Sequence, residues 1–153
     1  MSPVSKLAAA LMLSVSLAAA PGDIAVVVGP DTPVDNLSFA DVRKVFMGDR
    51  QYWNSNLRVT LLIRAPVARE RDVVLKIIYG MGEAQFRQYW ISKIFRLETS
   101  SGPKIVYSTD MAAELVTAIP GAVAFMDSAI VPKSLKKVKI DGRSPGDKGY
   151  RLH

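Results

Sequence analysis

The chain has no cysteine, so disulfides, thiol nucleophiles and thiolate metal centres are excluded. It has one histidine, His153, and that is the last residue. Packing does not readily hold an imidazole there, which argues against histidine-based metal sites and a serine–histidine–aspartate triad. Carboxylates such as Asp41, Glu70 and Asp110 are scattered, and they form no acid–base pair or nucleophile constellation. An enzyme is therefore not expected, nor is a metal or organic cofactor. Long apolar runs are also scarce. The clearest, Leu7–Leu17, is shorter than the ~20 residues needed to cross a bilayer comfortably.

That run has the features of a targeting segment. Lys6 supplies a positive start and Leu7–Leu17 an apolar centre. Ala18, Ala19 and Ala20 offer a small-residue cleavage site before Pro21. Residues 1–20 are accordingly expected to be a signal peptide, and the protein to be exported, to a bacterial periplasm. Cleavage would remove Lys6 and lower the net charge from +6 to +5. Residues 21–153 are expected to form one domain, with a poorly ordered tail from about residue 141, where glycine, proline and charge predominate.

What is present is ordinary globular composition: 49% hydrophobic and 22% charged residues over 153, enough for one domain with a core. The most informative stretch is Asn36 to Ile63. Ser38 is a good N-cap, with Asp41 three residues on. Phe39, Val42, Val45 and Phe46 make an apolar stripe, and Gly48 closes the helix. A loop bearing Trp53 follows, then a strand over Val59–Ile63. Ile24–Val28 and Ala122–Met126 are continuous runs of strand formers, as expected for buried strands of a mostly parallel sheet. Val73, Val74, Ile77, Ile78 and Met81 mark a second helix. Phe86, Trp90 and Ile94 mark a third, with Lys93 on its polar side. Lys104–Tyr107 is a further strand, and Ser108 or Thr109 caps a helix ended by Pro120-Gly121. Val138–Ile140 is a candidate edge strand. Strand–helix alternation of this kind predicts an α/β domain of three αβα layers with a mainly parallel sheet of about five strands.

Four pieces in this order resemble one lobe of the type II periplasmic binding proteins of the phosphate-binding kind. They are Ile24–Gly29; Leu37-Ser38 through Asp41 with Val45–Gly48 and Trp53; the Phe86/Trp90 pair; and Val116–Phe125, with Pro120-Gly121 at its centre. The resemblance implies a substrate-binding role in ABC transport and an oxyanion ligand such as phosphate. Arg64 stands where relatives place a phosphate-binding arginine at the end of a strand. Their serine-glycine-threonine is absent, and the loop reads Ala68-Arg69-Glu70-Arg71-Asp72. Arg64, Arg69 and Arg71 with the helix start are thus the candidate anion site, and Glu70 and Asp72 oppose it. Ser38 and Trp53 are candidates to line the same groove. A chain of this length has room for about one lobe, which predicts weak binding.

The alternative is an interaction or scaffold module of the cell envelope that has lost solute binding and docks a membrane-protein or other envelope partner. Lys133, Lys136, Lys137, Lys139, Arg143 and Lys148 cluster near the C-terminus. No stacking aromatics are interleaved with them, so a nucleic-acid partner is not expected.

Overall fold

The computed structural model describes residues 22–153. The expected signal segment lies outside these residues. The central sheet has six strands in the order β2-β8-β1-β7-β5-β6. They are β1 (Ile24–Val28), β2 (Asn36–Leu37), β5 (Thr60–Arg64), β6 (Lys104–Val106), β7 (Ala122–Asp127) and β8 (Lys136–Ile140). β3 (Tyr52–Asn54) and β4 (Leu57–Arg58) form a separate antiparallel hairpin in the segment expected to be loop. Asn54 Oδ1 accepts from the Asn56 amide at 2.9 Å and sets its turn.

Pairing of β2 with β8, β7 with β5 and β5 with β6 is parallel, whereas β1 is antiparallel to both neighbours. Five strands therefore run one way and β1 alone runs back. The carboxyl ends of those five share one edge of the sheet, and so do the starts of the helical segments that follow them. β8, expected at an edge, lies between β1 and the two-residue β2.

Helices cover both faces. α1 (Phe39–Phe46), α2 (Arg69–Val74) with its continuation Leu75–Tyr79, and α3 (Glu83–Phe95) lie on one face. α4 (Thr109–Ala118) lies on the other, against Ala25, Val27, Ala122, Ala124 and Met126. The side-chain alternation of β1 is decisive here, because Ile24, Val26 and Val28 join the first core and Ala25 and Val27 the second. A strand buried on both faces reads as a continuous apolar run for this reason.

α1 forms as its sequence predicts. Ser38 Oγ accepts from the Asp41 amide at 3.1 Å, and Val42, Val45 and Phe46 are buried. Gly48, with φ +75°, follows the C-cap in the left-handed conformation that ends many helices. α2 runs without a break into a wider π-type turn at Leu75–Tyr79, ended by Gly80 at φ +61°. The register accordingly buries Val74, Leu75, Ile78 and Tyr79 and leaves Val73, Ile77 and Met81 half-covered.

α3 departs from its expected stripe. Phe86 and Trp90 are buried, but the third member is Lys93, at 5% exposure, and Ile94 faces outward. The reason is i, i+4, i+7 spacing together with a partner: Lys93 Nζ reaches Asp49 at 2.6 Å and Glu98 at 3.6 Å. Burial alone pulls the Lys93 pKa down, but Asp49 and Tyr89 outweigh it and the net shift is upward.

The segment beyond Asp141, expected to be poorly ordered, is packed instead. Leu152 is fully buried, and its carbonyl accepts from the Ile24 amide at 2.8 Å. Tyr150 donates its hydroxyl to the Ile24 carbonyl at 2.6 Å. The turns Gly142, Gly146 and Gly149 take positive φ, which lets a glycine- and charge-rich segment fold back on the sheet.

Candidate functional site

The shared edge carries four helical starts. α1 follows β2, α2 follows β5, α4 follows β6, and a short 3₁₀ turn over Ser128–Ile130 follows β7. A helix start presents amide donors without carbonyl partners and a partial positive charge, so each is a potential anion site. Side chains already occupy three of the four. Ser38 Oγ caps α1, and the Asp141 carboxylate accepts from the Phe39 amide at 3.0 Å. Ser108 Oγ accepts from the Met111 amide at 3.0 Å and caps α4. Asp127 Oδ1 accepts from the Ala129 amide at 2.9 Å. α2, starting after Ala68, has no side-chain cap among the described residues.

Arg64, Arg69 and Arg71 are all near that uncapped start, but their situations differ. Arg71 is 3% exposed and fully engaged. Its Nε and Nη2 donate to Glu83 Oε1 and Oε2 at 2.8 and 2.7 Å, and its Nη1 donates to the Arg64 carbonyl at 2.8 Å. The guanidinium also sits 4.9 Å from the Phe86 ring centre. Hydrogen bonding from Arg71 outweighs the partial burial of Glu83 and holds its carboxyl below the ordinary value. Arg71, an expected ligand, is therefore a buried structural ion that ties α2 to α3.

Arg69 is half engaged. Its Nη2 donates to the Gly22 carbonyl at 3.0 Å, and its Nη1 lies 3.7 Å from Asp127 Oδ2. Arg64, at the end of β5, makes no side-chain hydrogen bond or ion pair among the described residues. The backbone between them is unusual. Val67 has φ +83° and is almost fully exposed. Branching at Cβ makes this left-handed conformation unfavourable, and such outliers concentrate where a loop is shaped for contact.

Ser38 shares this edge, but its hydroxyl is committed to capping α1. Trp53 does not share it. Its indole Nε1 donates to the Gly121 carbonyl at 2.9 Å, just ahead of β7, which places it at the opposite edge of the sheet. Buried there at 7% exposure, Trp53 closes the core beside the hairpin, and it lines no groove with Arg64. Asp127 and Asp141 were not expected at the edge. The signal for Asp127 was available, since it directly follows the apolar run Ala122–Met126 of a strand that ends here. Of the C-terminal lysines, Lys136 is tied down by the Thr32 carbonyl at 2.6 Å and Asp35 at 2.9 Å.

No family model matches the sequence, and no curated protein is detectably similar to it. Solved structures are. A phosphate ABC-transporter substrate-binding protein from Clostridium perfringens, solved with bound phosphate, superposes with a TM-score of 0.64 at 18% identity, over 79% of this chain and 46% of that one. An ABC-type phosphate transport receptor from Vibrio cholerae gives 0.69 at 18% identity, over 86% and 53%. PstS from Borrelia burgdorferi gives 0.67 at 15% identity, over 86% and 54%. The chain thus has the fold of one part of these phosphate-type substrate-binding proteins and spans about half the length of the structures it matches. The three-layer, mainly parallel architecture that the sequence predicts is the one observed.

Proposed function

We propose that the protein is an exported, non-catalytic binding lobe that takes phosphate or a similar small oxyanion at Arg64 and the start of α2. The observation that carries the reading is the pairing of the one uncapped helical start on the edge with the one arginine of the three that has no partner among the described residues. Arg69 supplements them only by giving up Asp127. The similarity to phosphate-binding receptors supports the class of ligand, and export to the periplasm rests on that similarity together with the pattern of residues 1–20. One lobe encloses little of a small anion. After the entropy of association is paid, an affinity on the order of 1 mM, about −4 kcal/mol, is what a few charge-assisted bonds leave.

Calorimetric titration of the chain from Pro21 with phosphate, sulfate and organic anions at low salt tests this. Saturable one-to-one binding, lost in Arg64→Ala and kept in Arg71→Lys variants that remain folded, is the expected result. A folded protein that gives no heat with any anion refutes it. A second reading, an envelope interaction module that has lost solute binding, is favoured by one feature: Glu83 and Asp127 have already claimed Arg71 and Arg69. Under that reading Arg64→Ala changes no anion titration, and the partner is a membrane or envelope component.

A further inference from the structure

Nine large apolar side chains stand exposed among the described residues, and six of them fall between Ile91 and Tyr107. Ile91, Ile94 and Phe95 share one side of α3, since i, i+3 and i+4 positions are neighbours. Phe95 and Leu97 are 86% and 90% exposed. The backbone at Leu97 sharpens the point. The Leu97 amide bonds to the Ile94 carbonyl at 3.0 Å and the Glu98 amide to the Lys93 carbonyl at 3.1 Å, the pattern of a Schellman ending. α1 ends with the same two bonds, Gly48 to Val45 and Asp49 to Lys44, and places glycine in the left-handed position. α3 puts leucine there, at φ +58°, against its conformational preference and with its side chain in solvent.

Beside this ridge a cavity of about 230 Å³ opens between the hairpin, the start of β5 and the loop at 99–104. Arg50, Arg58 and Lys104 line it, with the hydroxyl-bearing Thr60, Thr99 and Ser100, and no carboxylate among the described residues does. Arg50 is held by the Tyr52 and Trp53 carbonyls at 3.2 and 3.3 Å, and Arg58 by Ser100 Oγ at 3.3 Å. Lys104 makes no ion pair among the described residues. Ridge and cavity are continuous, because a Cβ at Gly102, in the cavity wall, would stand 3.6 Å from Ile94 Cδ1. The acids nearest in sequence are already neutralised: Asp49 by Lys93 at 2.6 Å, and Glu98 by Lys93 and Arg96 at 3.6 and 3.1 Å.

We propose that this face docks on an anionic phospholipid surface, with Ile91, Phe95 and Leu97 entering the boundary between headgroups and acyl chains and a headgroup phosphate seated between Arg58 and Lys104. Exposed apolar side chains rimmed by cations suit that interface. Two copies of this chain facing each other here would oppose Arg58 and Lys104 to their like, which disfavours self-association. The site lies at the opposite edge of the sheet from Arg64, so it stands or falls independently of the function proposed above.

The full chain is tested by co-sedimentation with vesicles of phosphatidylcholine alone and of phosphatidylcholine with 30% phosphatidylglycerol, at low and high salt. Binding to the anionic vesicles, weakened by salt, is expected to drop about tenfold in Phe95→Ser/Leu97→Ser and likewise in Arg58→Gln/Lys104→Gln. Arg64→Ala should leave it unchanged. Leu97→Gly should lower vesicle binding while raising thermal stability, which a structural role for Leu97 would not produce. Binding by both double variants as strong as that of the unsubstituted chain, and so carried by another segment such as Leu7–Leu17, overturns the proposal. Absence of binding to anionic vesicles, saturation of the cavity by inorganic phosphate without vesicle binding, or a dimer dispersed by Phe95→Ser also overturns it.

Discussion

Replacing Arg71 by alanine separates a ligand-binding arginine from a structural one. The side chain is only 4% exposed, and it makes three bonds of 2.7 to 2.8 Å. Arg71→Ala removes all three, leaves the Arg64 carbonyl without its donor and opens a void against Phe86. Glu83, whose side chain is 40% exposed, regains water, which softens the loss. Breaking a buried pair costs 3–5 kcal/mol, and that partial rescue puts the expected loss at about 3 kcal/mol. With a urea slope of roughly 1.5 kcal/mol per molar for a domain of this size, the unfolding midpoint should fall by about 2 M with the slope unchanged. Glu83→Gln keeps one acceptor and should lose about half as much. The pH dependence has a definite sign. Glu83 is depressed in the folded state from the ordinary 4.5, so its stabilisation is present above about pH 4.5 and disappears as pH falls through the lower folded-state value. The gap between wild type and Glu83→Gln should close over that acidic window. An unchanged midpoint in Arg71→Ala, with anion binding abolished, would show that Arg71 is a ligand and that the ion pair is incidental.

Two further changes probe the packing that the site depends on. Gly121→Ala should cost more than about 3 kcal/mol, or prevent folding, because φ is +80° and the added Cβ would lie 2.0 Å from the Arg58 carbonyl oxygen; circular dichroism and urea titration report it, and a native-like midpoint refutes the turn geometry. Ending the chain after Asp147 removes Tyr150 and Leu152 with their bonds to Ile24. Two buried side chains and two hydrogen bonds amount to about 5 kcal/mol, so the truncated protein should be largely unfolded at 25 °C; normal thermal unfolding would mean that the tail is dispensable.

Local signals in the sequence determined a good deal. Ser38, the Val42–Phe46 stripe and Gly48 define α1 because capping, periodicity and the left-handed stop act within a few residues of one another. The apolar runs Ile24–Val28 and Ala122–Met126 announce strands covered on both sides, and alternation with helices gives the three layers. Tertiary structure decided what depended on distant partners. Lys93 is inside and Ile94 outside because Asp49, far along the chain, supplies the counter-ion. Arg71 is spent on Glu83 and the Arg64 carbonyl, so its charge could be counted from the sequence but its availability could not. Trp53 left the expected groove because the Gly121 carbonyl that accepts from its indole lies at the other edge of the sheet. The tail reads as disordered by composition, yet Leu152 pairs with Ile24 across the whole chain. The sequence by itself settled where the main helices and the buried central strands lie, because propensity and patterning act locally, but not the β3–β4 hairpin. Which charges remain free for a ligand was settled only by folding, because burial and pairing are properties of neighbours that sequence distance conceals.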